Sequence, residues 1–140
     1  MKEFDRTKSL QQLEQHDLGE ATFDSYLVTT CHRLRRKPLD EFTVEDLRIM
    51  IGQKIGLPYL LPIALERLKD DPLAAGDYYP GDLLAMVVSA DDSFWSTRPD
   101  LFRQIREIVR RVQEALPSME EDERQAVVKL LRDASRSLTG

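Results

Sequence analysis

The scarce side chains decide first what chemistry this sequence can support. There is one cysteine, Cys31, and there are two histidines, His16 and His32. Cys31 and His32 are adjacent, so on a helix they project about 100° apart and do not readily share a metal ion. Cys31 falls on the apolar side of its segment, where a free thiol behaves as a small hydrophobe. A Cys–His nucleophile pair needs a base brought in from His16, and no local pattern supplies it. Gly52-Gln53-Lys54-Ile55-Gly56 has glycines near a lysine but matches neither phosphate-binding fingerprint, and it closes a helix where a P-loop opens one. The acid pairs Asp70-Asp71 and Asp91-Asp92 read as solvated turns and helix ends rather than an acid/base dyad. The expectation is therefore a protein that is not an enzyme and has no catalytic residue, no metal and no cofactor.

Charge is the more informative signal. The chain of 140 residues has a formal net charge of −5. Residues 66–100 contain eight acids and three bases, so this one segment carries the whole excess. Asp70, Asp71, Asp77, Asp82, Asp91 and Asp92 lie between Lys69 and Arg98 with no base among them. Tyr78, Tyr79, Phe94 and Trp95 are interleaved with these acids. Aromatic side chains anchor interfaces, and an acidic rim speeds encounter with a basic partner. The candidate partner-binding residues are Asp70, Asp71, Asp77, Tyr78, Asp82, Asp91, Asp92 and Trp95. Binding of nucleic acid is not expected, because a binder must present excess Lys and Arg to the phosphates. The clusters Arg33/Arg35/Arg36/Lys37 and Arg103/Arg106/Arg110/Arg111 read as a helix C-terminus and a solvated helix face.

The elements that position these residues are helical. Phe23, Leu27, Thr30, Cys31 and Leu34 share one face of a helix over 22–36. A weaker helix is expected over Ser9–Leu18. Thr43 caps a helix bearing Leu47, Met50, Ile51 and Ile55, with Gly56 as its C-terminal stop and Pro58 opening the next. Pro72 ends that helix, and residues 71–81 form a loop. Asp82 is expected to cap a short helix to Ala90, and a turn at Asp91-Asp92-Ser93 leads into Phe94-Trp95. Thr97 then caps a helix running to Pro117, and Ser118-x-x-Glu121 forms a capping box for the last one.

No run alternates with period two. The fold class is all-α: a single-domain bundle over 1–140 with six or seven helices and short loops. Hydrophobic residues at 41% support a core without disulfides. The N-terminus lacks the apolar stretch of a secretory signal, and no run reaches the roughly 18–20 apolar residues that span a bilayer. The expected location is cytoplasmic, with no membrane partner.

Several motifs fall together in order: Asp46-Leu47-Arg48-Ile49-Met50-Ile51-Gly52-Gln53-Lys54-Ile55-Gly56-Leu57, then Pro62-Ile63-Ala64-Leu65-Glu66. Gly76-Asp77-Tyr78-Tyr79-Pro80-Gly81-Asp82-Leu83-Leu84 and Phe94-Trp95 follow. With them the chain resembles the small helical immunity proteins of bacterial contact-dependent growth inhibition (CDI), over about residues 31–101. The resemblance implies a protein that binds and neutralises the C-terminal toxin domain delivered by a neighbouring cell. Such toxins are commonly nucleases with basic clefts, which suits the acidic segment, and binding would cover the active or substrate-binding surface. The alternative is a helical adaptor or regulatory protein with an unrelated basic partner. Because a motif shared by proteins that neutralise different toxins does not specify one toxin, Gly76–Leu84 can equally be scaffold.

Overall fold

The most apolar stretch of the chain becomes its central helix. The computed structural model describes residues 4–15, 26–90 and 92–139. Among them the helix Leu57–Asp70 buries Leu57, Leu60, Leu61, Ile63, Ala64, Leu65 and Leu68. Each fully buried side chain of this kind stabilises the fold by roughly 1.5–3 kcal/mol relative to exposure. Pro58 sits in the first turn, where its missing N–H costs nothing, and the helix continues through Pro62.

The other helices pack on it or on its neighbours. In chain order they are α1 (Leu10–Glu14), α2 (Tyr26–Arg35), α3 (Val44–Gly52), α4 (the central Leu57–Asp70), α5 (Asp82–Val88), α6 (Asp92–Thr97), α7 (Pro99–Ala115) and α8 (Glu121–Thr139). Short 3-10 turns span Leu39–Glu41 and Leu116–Ser118. Helix α4 packs against α3, α5 and α7, while α3 also lies on α5 and α5 on α8. The described residues contain no β-strand, only an isolated bridge between Ala75 and Pro80. The all-α class and the single core stand, with eight α-helices among the described residues instead of six or seven.

Local signals mostly act as expected. Ser9 and Gln12 form a capping box on α1, and Thr43 and Asp46 form one on α3. Asp46 also takes a 2.6 Å ion pair from Lys37. Four boundaries differ from the expectations. Lys54 (φ 59°), not Gly56, is the left-handed residue that ends α3. Gly56 (φ 66°) is instead the N-cap of α4, under Leu10, whose Cδ1 would lie 2.7 Å from an added Cβ. Residues 92–97 form a helix rather than a turn, and Thr97 closes it by donating to the carbonyl of Phe94 at 2.7 Å. The 3-10 turn takes up Ser118, so α8 starts at Glu121 and the capping-box register is lost. The beginning of the helix expected over 22–36, with Phe23, and His16 lie outside the described residues.

Candidate functional site

The loop between α4 and α5 is organised from inside by one carboxylate. Asp82 is the first residue of α5 and only 1% exposed. It does not cap the helix; Gly81 occupies that position. Its carboxylate turns back and accepts the backbone N–H groups of Gly76 at 2.7 Å, Tyr78 at 3.1 Å and Tyr79 at 3.4 Å. The loop lacks a strand partner for these donors, so the buried acceptor replaces a sheet ladder.

Two residues of α3 complete the frame. Glu45 accepts the N–H of Asp77 at 2.9 Å and pairs with both arms of Arg48, with Nε to Oε1 at 2.6 Å. Arg48 Nε also lies 3.8 Å from Asp82 Oδ2. Its guanidinium sits 4.1 Å from the centroid of the Tyr78 ring. Hydrogen bonding to Arg48 holds the Glu45 carboxyl below the usual carboxylate range, and bonding to Glu45 raises Arg48 further. The backbone must come close to these acids: a Cβ on Gly76 would lie 2.4 Å from Glu45 Oε1. At the other end of the loop Gly81 adopts φ 91°, open to glycine without strain, and a Cβ there would lie 2.9 Å from Leu130 Cδ1 of α8.

The expected partner-binding residues now separate. Asp82 and Trp95 are buried, Trp95 at 4% exposure between Phe94 and Phe102, so neither offers its side chain to a partner surface. Both belong to the scaffold. Asp70, Asp71 and Asp77 are exposed, as is Tyr78 at 72%. Asp91 lies outside the described residues, and Asp92 contributes the backbone that opens α6.

The linear charge count also overstates the acidic surface. Glu66 is paired with Arg6, which folds back from outside the acidic segment. Asp100 is paired with Arg98 at 2.9 Å, and its pKa falls to about 2 through that bond. Asp82 faces Arg48. Asp70, Asp71 and Asp77 have no ion pair among the described residues. Sequence reasoning missed Glu45 and Arg48 as site residues. Their i, i+3 spacing on a helix was a visible signal for a pair, though not for the loop it holds.

Among the described residues no group of three or more His, Cys, Asp and Glu converges to hold a metal. Cys31 is buried, and burial pushes its thiol pKa up, away from nucleophilic use. No described helix is long and apolar enough to cross a membrane. What the site does offer is a hydrogen-bonded loop displaying Asp77, Tyr78 and Tyr79.

The profile of the CDI immunity proteins matches residues 12–105, which include α3, α4, the whole loop and α5. The chain belongs to the CDI immunity protein family. No curated protein matches the chain at a significant level. Membership in the CDI immunity family implies a cognate CDI toxin as the partner. It also frames the loop differently. The motif residues that carry the resemblance, Arg48, Gly76, Gly81 and Asp82, are those that hold the loop's shape.

Proposed function

We propose that this CDI immunity protein neutralises a nuclease toxin domain by covering its active or substrate-binding surface. The observation that carries this reading is the exposed acid set Asp70, Asp71 and Asp77, which has no ion pair among the described residues, with the exposed Tyr78 following Asp77 in the loop. A nuclease must gather phosphates with Lys and Arg, so its cleft is cationic. Carboxylates presented at the end of α4 and along the loop match that cleft in sign, and Tyr78 supplies a large side chain with little conformational freedom to lose. Occupying the cleft excludes the nucleic-acid substrate.

Co-expression with the toxin domain encoded beside this gene tests the reading. Growth is restored and a 1:1 complex co-purifies. Persistent toxicity with no complex overturns neutralisation, and intact cellular RNA and DNA in cells expressing the toxin alone overturns the nuclease class. Changing Asp70, Asp71 and Asp77 to Asn slows association and flattens its dependence on salt. An unchanged rate moves the interface elsewhere.

A further inference from the structure

The loop does not end at its own exposed tip. Tyr79 and Pro80 form one end of an open groove of about 760 Å³ between α5 and α8. Its floor is apolar, with Met86 and Ala85 from α5 and Ala126, Val127 and Leu130 from α8. Three acids on the α8 side, Asp122, Glu123 and Asp133, line it against the single cation Lys129. The other bases of that stretch, Arg124 and Arg132, do not line the groove but an adjoining depression on α8, which Lys129 and Asp133 share.

The two walls differ in origin. The α5 wall and Tyr79-Pro80 fall inside the residues matched by the CDI immunity family, whereas all of α8 falls outside them. The walls are locked together where Gly81 meets Leu130. An immunity protein must choose one toxin, and discrimination comes from contacts that other partners cannot satisfy. A wall beyond the family region, set against one within it, provides such contacts next to a loop that the family shares.

We propose that the α5–α8 groove is the specificity pocket for the cognate toxin. It receives a segment of the toxin that carries an apolar side chain flanked by Lys or Arg. This inference rests on the immunity reading above. The apolar floor desolvates the anchor, and Asp122, Glu123 and Asp133 complement the flanking cations. Tyr79, half-exposed at the mouth, closes over the anchor.

The test uses the full chain and the toxin domain encoded beside its gene, inactivated by substitution, in a titration of affinity and rate. Ala126→Arg places a cation and bulk on the exposed side of the groove and weakens binding by about 100-fold or more, through like-charge contact and clash. The combined variant Asp122→Asn, Glu123→Gln, Asp133→Asn keeps the groove's shape. It slows association about 10-fold at low salt and reduces the salt dependence. Arg106→Ala on α7 leaves both unchanged. Wild-type protein that binds the toxin while both groove variants bind equally well overturns the groove and leaves the immunity reading standing. Wild-type protein that does not bind overturns that reading itself. A wild-type dimer that Ala126→Arg converts to a monomer, with toxin binding intact, assigns the groove to a second copy and also overturns the proposal.

Discussion

The α4–α5 loop and the α8 wall meet at Gly81 and Leu130, yet they use their acids in opposite ways. In the loop frame, Glu45 and Asp82 are turned inward and committed to Arg48 and to backbone N–H groups. On α8, Asp122, Glu123 and Asp133 are exposed and line a groove with an apolar floor. Carboxylates of the first kind hold a shape, and substituting them costs stability. Those of the second kind are exposed, and on the groove proposal substituting them costs binding rather than stability. A charge count along the chain does not separate the two uses, but burial and hydrogen bonding do.

The sharpest break between the regions is Asp82→Ala. It leaves three loop N–H groups without their acceptor while Arg48 keeps Glu45, and at about 1–3 kcal/mol for each group left unsatisfied it lowers the unfolding free energy by about 3–5 kcal/mol. Urea denaturation reads this directly. Toxin binding by the fraction that remains folded, with little loss of stability, is the result that erases the distinction. Gly76→Ala comes next, at about 1–3 kcal/mol, because its methyl group must displace Glu45 Oε1 in a packed site. Proteolysis within 71–81 accelerates in step.

Glu45→Gln makes a smaller change with a signature in pH. The Glu45 carboxyl is held low by Arg48, so its contribution is present above the unfolded pKa and is lost as pH falls through the folded one. At neutral pH the variant is less stable by about 1.5 kcal/mol, in line with a hydrogen bond to a charged group. That gap closes as the pH falls below the usual carboxylate range. A gap that stays constant from pH 7 to pH 3 refutes the role assigned to Glu45. Smallest in stability is the triple neutral variant of Asp122, Glu123 and Asp133, which stays within about 0.5 kcal/mol of wild type while its toxin association slows. A larger loss of stability makes α8 part of the frame.

How much of this was legible depended on whether the signal was periodic. Leu60, Leu61, Ala64, Leu65 and Leu68 repeat at helical spacing, and their helix follows from it; so do the stripes of α3 and α7. The identity of Asp82 as a loop holder was not legible. Its partners are backbone donors three to six residues upstream, which leave no trace in residue type. Trp95 sits among acids in the sequence, which suits a surface anchor as well as a plug between short helices, and its neighbours in space, Phe94 and Phe102, decide for the plug. The acids of α8 were overlooked because Arg124, Lys129 and Arg132 balance them in the linear sequence. Only the helix brings Asp122, Glu123 and Asp133 to the groove and leaves Arg124 and Arg132 off it.

Trp95 is the single tryptophan of the chain, and its indole N–H meets no acceptor among the described residues. Buried against two phenylalanines, it should fluoresce in the blue when folded and shift to the red when unfolding exposes it to water. Neither wall of the α5–α8 groove contains it. The protein thus holds an intrinsic optical reporter of its own folding, one that lets stability be followed in the groove variants without a label.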